Sequence, residues 1–353
     1  MRASIIINNY NYGRFLDQSV GSALAQTHPD TEVIVVDDGS TDDSLQILEA
    51  YADHIKVIAK ENAGQGSCFS TGFAHCSGDI VLFLDSDDYL RSDCVETLLR
   101  HWSPPVVKAH FYLAVVDAAG HSIQSLVPSG KLAGDEALEM MRLFGSYCSP
   151  PASGNAFAAS YLATILPFEN EAELIYSADS VLIFSAPFFG KVIAIDDTLA
   201  FYRRHGAAGS AVKTGFDRDS SLKSLRKEHE KDLRRDRSWR MACNEYAPAP
   251  FHLMEPSRAK RRMCYLKLSE EGLEEGDTVL GLLVCSIRAI WHWKGYTLKQ
   301  KGFASIWFAV VTVLPLPICE PLIRMALGLA ERRPLHKWVL NGSGTRRELT
   351  TVT

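Results

Sequence analysis

Two aspartate strings carry the densest chemical potential in the chain: Asp37-Asp38-Gly39-Ser40 and Asp85-Ser86-Asp87-Asp88. Each follows an apolar run, Val33–Val36 and Ile80–Leu84 respectively. In open α/β sheets, ligands bind outside the carboxyl ends of the strands, where these carboxylates fall. An aspartate ahead of a helix is equally an N-cap, but a cap uses one carboxylate. Asp85, Asp87 and Asp88 crowd three into four residues, an arrangement whose repulsion calls for a cation. Oxygen ligands suit Mg2+ or Mn2+, which bind through one or two carboxylates plus substrate phosphates, so this D-x-D points to a metal-bound diphosphate. Gly64-Gln65-Gly66 lacks the spacing and following acid of a dinucleotide fingerprint. It reads as a tight turn into a helix, or as a turn that lets Gln65 reach a donor.

The elements that must hold these groups follow from the hydrophobic periods. Strands are expected at Ala3–Ile7, Glu32–Asp37, Ile55–Ala59 and Ile80–Leu84. Between them lie a helix capped by Asp42, with Leu45, Leu48 and Ala52 on one face, and helices at Gly64–His75 and Leu90–Trp102. Val106–Val116 and His121–Val127 flank Asp117-Ala-Ala-Gly120 as a hairpin, which makes the sheet mixed. A helix at Asp135–Phe144, a polar loop at Ser149–Asn155, a helix at Asp179–Phe188 and strands at Val192–Ile195 and Leu199–Arg203 complete this part. The fold class is α/β, a mostly parallel mixed sheet flanked by helices and followed by an α-helical C-terminal region. The junction is placed at 212, giving a catalytic domain over 1–212 and a helical region over 213–353.

The 353 residues, 46% apolar and 22% charged, have the composition of a globular enzyme. A net charge of -5 gives no reason to expect a nucleic-acid partner. Eight cysteines form no C-x-x-C pair and read as reduced, small apolar residues. The opening Ser4-Ile5-Ile6-Ile7 is too short for a signal peptide, so a cytoplasmic location is expected.

Read in order, the motifs resemble glycosyltransferase family 2, the inverting family with the GT-A fold. Ser4–Tyr12, Ser22–Thr27, Val35–Asp42, Asn62–Gly66, Gly78-Asp79 and Phe83–Asp88 carry the resemblance, followed more loosely by Ser153-Gly154-Asn155, Ala178-Asp179-Ser180 and Tyr202–His205 with Ser210. It covers about residues 1–210. The resemblance implies a sugar donor joined to UDP or dTDP and inverting transfer to a hydroxyl of a glycan or lipid-linked acceptor, in envelope or extracellular polysaccharide synthesis. It puts Asn8, Asn9 and Tyr10 along the nucleobase with Asp38 accepting from it, Asp85 and Ser86 at the donor, and Asp87 on a divalent metal, Mn2+ or Mg2+. Asp179 matches the catalytic base, a role compatible with capping the helix it precedes. Arg203, Arg204 and His205 match a loop that closes on the diphosphate. The two arginines alternate in direction on a strand, so one of them faces it. His205 is open between a strand end, a metal or diphosphate contact, and an acceptor contact. Ser153, Gly154 and Asn155 fall where an acceptor would bind. Asn8 and Ser92 replace frequent prolines, and Ser70 a frequent asparagine. A nucleotidyltransferase is disfavoured by Asn8–Gly13, which is not a glycine- and lysine-rich phosphate loop; a non-catalytic sugar-nucleotide-binding or scaffold protein is disfavoured by the intact aspartates.

The tail adds a densely charged helix over Asp217–Arg240, helices at Arg258–Leu268 and Thr278–Trp293, and the 17-residue uncharged stretch Phe303–Cys319. That stretch is short of the roughly 20 residues of a membrane span, and Pro315 and Pro317 break it. It reads either as an in-plane or shallow re-entrant anchor, a peripheral contact on the inner face of the cell membrane, or as the core of a helical tail. Lys294, Lys299 and Lys301 precede it, and Arg332, Arg333 and Lys337 follow.

Overall fold

The computed structural model describes residues 1–169, 171–175, 178–205, 218–243, 253–274 and 276–327. The expected junction at 212, Ser210 and the basic residues 332, 333 and 337 lie outside them. The chain divides into two compact units, Met1–Ser210 with Lys231–Phe251, and Ala211–Glu230 with His252–Thr353.

The first unit is built on nine strands: β1 (Ala3–Asn9), β2 (Thr31–Asp37), β3 (Lys56–Ala59), β4 (Ile80–Asp85), β5 (Tyr89–Leu90), β6 (Val106–Val116), β7 (Ser122–Val127), β8 (Asn155–Ala158) and β9 (Lys191–Arg203). Their order is β3-β2-β1-β4-β8-β6-β9-β5, with β7 on β6. The β3-β2-β1-β4 half is parallel, β8 runs antiparallel to both neighbours, and β6 and β9 are again parallel. The sheet is mixed, and the β6–β7 hairpin forms as expected.

Both faces of β1, β2 and β4 are buried, which is why these strands are continuous rather than alternating apolar runs. Ile5, Ile7, Val33, Val35, Leu82 and Leu84 share one core with helices α1 (Gly13–Leu24) and α4 (Cys94–His101). The opposite face carries Ile6 and the ring pair Phe69–Phe83, whose centroids are 4.1 Å apart. Phe69 comes from α3 (Gln65–Ala74).

Several expectations are corrected. The segment 90–102 is not one helix: Tyr89 and Leu90 pair with Phe201 and Ala200, and α4 begins only at Cys94. The two strands expected at 192–203 are one: Asp196 and Asp197 bulge out where the register passes from Ile195 opposite Phe111 to Thr198 opposite Tyr112, pairing with β6 resumes beyond them, and Asp197 takes the guanidinium of Arg91. The polar loop at 149–155 ends in a short 3-10 turn and β8, whose small Asn-Ala-Phe-Ala sequence carries no β-branched signal. Helix α2 (Ser44–Glu49) buries Leu48 but leaves Leu45 and Ala52 exposed. The Asp42 carboxylate accepts from the backbone N–H groups of Ser44 and Gly13. Helices α5 (Ala137–Phe144), α6 (Ala159–Ile165) and α7 (Ala178–Ser185) complete the unit; α6 was not foreseen.

The charged helix is present as α8 (Arg218–Cys243). The second unit contains α9 (Pro256–Ser269), α10 (Val279–His292), α11 (Leu298–Val313) and α12 (Leu316–Ala326). Phe303–Cys319 is thus two helices parted at Leu314-Pro315. Phe308, Val311, Cys319 and Ile323 pack with Met263, Leu268 and Leu282 in a core of their own. Among the described residues, no helix is long and apolar enough to cross a membrane.

Within the first unit, β6 buries a lysine. Lys108 Nζ lies 2.8 Å from His110 Nδ1 and 3.1 Å from Ser149 Oγ, and His110 Nε2 donates to the Ala133 carbonyl at 2.7 Å. Burial pushes the Lys108 ammonium well below its usual range and, with Lys108 beside it, does the same to His110. An unfolded lysine takes a proton below about 10.4, whereas the buried amine resists it, so unfolding takes up a proton and stability rises with pH in that window. The stability difference between wild type and Lys108→Met should therefore shift in favour of wild type by about 1 kcal/mol per pH unit between about pH 8 and 9.5. Urea unfolding across that range measures it; a difference independent of pH would show Lys108 to be charged in the fold.

Candidate active site

The parallel strands β1, β2 and β4 deliver their carboxyl ends side by side, with Asn8 in register with Asp85 and Asn9 with Asp37. Asn8 Nδ2 donates to Asp85 Oδ1 at 3.0 Å. Gln65, at the start of α3, accepts from the Ala178 N–H at 2.9 Å and lies beside Asp85, whose charged form it favours. It joins the D-x-D to the start of α7, where Asp179 is half-exposed and accepts from the Ser180 N–H. Close approach is what makes this possible: Gly64 has φ +87°, and a Cβ there would stand 2.5 Å from Ile175 Cα.

Burial, then Asp87, pushes the Asp85 carboxyl up to about 7, with Asp179 adding to it. Asp88 is buried and pushed well up by the same desolvation and by Asp87 and Asp85. It accepts from the Arg203 N–H at 2.9 Å, and its Oδ2 has no hydrogen-bond partner. Asp87 is half-exposed, with Oδ2 2.7 Å from His205 Nε2. The His205 ring lies between Tyr12 and Phe15, at 5.2 and 5.0 Å between centroids.

The remaining expected residues divide between surface and scaffold. Tyr10 and Arg204 are exposed. Asn9 is buried and directs its amide to Asp37 and Ser40. Asp38 is buried, and its carboxylate accepts from Lys60 Nζ at 2.6 Å and from the N–H groups of Ala63 and Gly64. It ties the turn before α3 to the end of β2. Ser86 is buried. Ser153, Gly154 and Asn155, expected at an acceptor, lie beneath the site instead. Ser153 Oγ accepts from the Asp85 N–H, while Asn155 is fully buried and donates to the carbonyls of Pro150 and Pro151. Buried small residues bracket the D-x-D here because β8 pairs directly with β4.

Arg203 is likewise a strut. Its guanidinium donates to the carbonyls of Asp87 and Ala118 and to Gln18 Oε1, and it lies over the rings of Phe15 and Tyr89. Gln18, Lys60 and Tyr12 were not assigned roles from sequence. Lys60 was legible as a cation closing β3, and Tyr12 stands in the quoted opening motif; Gln18 gave no signal.

The profile of "Glycosyl transferase family 2" matches residues 4–117. An uncharacterized glycosyltransferase of Nostoc sp. is 37% identical over 213 residues, 59% of this chain and 66% of that protein. Residues 4–117 belong to glycosyltransferase family 2. Escherichia coli chondroitin synthase is 46% identical over 112 residues, 31% of this chain and 16% of that protein. Borreliella burgdorferi cholesterol galactosyltransferase is 32% identical over 156 residues, 42% of this chain and 43% of that protein. The chain spans less than two thirds of each of these relatives. S. aureus TarS 1–349 in complex with UDP-GlcNAc is 18% identical, with a TM-score of 0.45 over 93% of this chain and 88% of that one.

For a family 2 segment, a divalent cation has to fit the residues present. Among the described residues, no group of three His, Cys, Asp or Glu is arranged to hold a metal. Asp87 and His205 make a two-ligand pair beside further carboxylates whose charge is unfavourable without a cation. That set fits an ion completed by substrate phosphates rather than caged by protein.

The two arginines should separate by experiment. Arg203→Lys, unable to reproduce the planar fork, is expected to lower stability by about 2 kcal/mol. Arg204→Ala should stay within about 0.5 kcal/mol of wild type. Chemical denaturation reads both, and equal losses would contradict the strut assignment.

Proposed function

We propose that the protein is an inverting glycosyltransferase that moves a sugar from a nucleoside diphosphate donor, UDP- or dTDP-linked, to a hydroxyl of a glycan or lipid-linked acceptor. The observation that carries this reading is the placement of Gln65. Its amide oxygen accepts from the Ala178 N–H at the start of α7, where Asp179 stands, and the side chain lies beside Asp85 at the end of β4, so that donor-side and acceptor-side carboxylates face one site. Two relatives support the acceptor classes by name, a chondroitin synthase and a cholesterol galactosyltransferase.

Cleaving a sugar–phosphate bond develops positive charge at the anomeric carbon and negative charge on the leaving diphosphate. A divalent cation on Asp87 and His205 supplies compensation for that negative charge when bound. The Asn8 amide fixes the Asp85 carboxylate toward the donor. Asp179 takes the proton of the attacking acceptor hydroxyl from the face opposite the leaving group, which gives inversion. Its backbone bond to the Ser180 N–H holds the carboxylate in place while leaving it half-exposed to an incoming acceptor. Arg204, exposed beside His205, is the arginine placed for the diphosphate.

Donor hydrolysis across a panel of nucleotide sugars tests the class, and Asp179→Asn tests the assignment. The variant should keep donor affinity while transfer falls at least about 100-fold, as for a base that acts in the transition state. Wild-type turnover in the variant would hand the role to another carboxylate.

A further inference from the structure

The second unit carries a surface that its own core does not explain. Helices α10 and α11 pack as a hairpin joined by five residues, and each is apolar on its packed and its outer side. On α10, Leu280, Val284 and Trp291 are 67, 61 and 51% exposed; on α11, Ile306 and Val313 are 61 and 78% exposed. The α10 residues recur at helical spacing, and so do Phe303, Ile306 and Val313, so each set forms a stripe rather than a scatter. Apolar residues grouped on one face mark an interaction site.

The charges around this face select the partner. From Thr278 to Cys319 the chain has no aspartate or glutamate, while Arg288, Lys294, Lys299 and Lys301 all lie within it. Arg288, Lys294 and Lys299 are exposed, toward the end of the hairpin where α10 passes into α11. Lys301 reaches back to the Trp291 carbonyl at 2.8 Å, which holds that end together. An outer apolar stripe, an exposed tryptophan and cations without acidic neighbours in the segment match a bilayer surface bearing anionic lipid: side chains enter the acyl boundary and cations meet the headgroups. A protein partner would find no acidic group on the hairpin with which to set its register.

We propose that the outer face of the α10–α11 hairpin docks in the plane of an anionic membrane surface. This deepens the transferase reading by giving a lipid-linked acceptor a place to be met, although the surface argument stands on the second unit alone. The anchor and core alternatives drawn from the sequence are then two sides of the same helices. Phe308 and Val311 form core, and Ile306 and Val313 face outward.

The test is co-sedimentation of the full chain with vesicles of phosphatidylcholine alone or with phosphatidylglycerol added, alongside donor hydrolysis and thermal unfolding of the same samples. Wild type should sediment with the phosphatidylglycerol vesicles and lose binding as salt rises. Ile306→Asp with Val313→Asp should reduce the bound fraction about 10-fold or more, with melting temperature and donor hydrolysis unchanged. Arg288→Gln with Lys299→Gln should weaken binding and flatten its salt dependence. A wild type that stays in the supernatant with both vesicles overturns the proposal, as does an Ile306/Val313 variant that binds like wild type. So does a dimer seen by light scattering that this variant dissolves while no vesicles are bound. Donor hydrolysis without vesicle binding sinks the docking surface and leaves the transferase; vesicle binding without use of any donor does the reverse.

Discussion

Three carboxylates within four residues at the end of a buried strand repel one another, and the first unit is arranged around containing that repulsion. Neutral donors do part of it: the Asn8 amide on Asp85 and the Arg203 N–H on Asp88. Neither removes the charge, and Asp85 and Asp88 remain displaced toward their protonated forms. On the proposed reading, a cluster held in this condition serves a cation and a polyanionic substrate rather than stability. The long β9 strand follows from the same need, since its pairing with β5 and β6 brings Arg203 beneath Asp87 and His205 beside it.

The framework was legible where the physics is local. Continuous β-branched runs announced β1, β2 and β4, and the aspartates after them fall at the strands' carboxyl ends, where a parallel sheet, buried on both faces, opens. The hairpin was legible from Asp117 to Gly120, where the Asp117 carboxylate gathers the N–H groups of Ala119 and His121. What was not legible depends on pairing between distant segments. β8 has no strand composition and exists because β4 and β6 offer it two edges. Which of Arg203 and Arg204 turns inward could not be read from alternation alone; the ladder register settles it, with Arg203 opposite Val116.

Sequence also blurred the line between contacting a ligand and supporting a contact. Asn9, Ser86, Ser153 and Asn155 belong to the right motifs yet lie buried, and Asp38 already accepts three bonds from this chain. A motif fixes both the groups that meet substrate and the groups that hold them, and only depth tells them apart. In the second unit the reverse held. An uncharged stretch proved to have an inner and an outer side, a distinction that periodicity makes poorly when no position is charged.

The central claim is that the carboxylate cluster serves a cation-bound diphosphate. Titration calorimetry of UDP and dTDP with and without Mn2+, on wild type and Asp87→Asn, addresses it directly. The account predicts that at least one nucleotide binds wild type about 10-fold or more tightly with Mn2+ than in chelator, and that Asp87→Asn removes that difference while the protein stays folded. Equal metal dependence in the variant would contradict it.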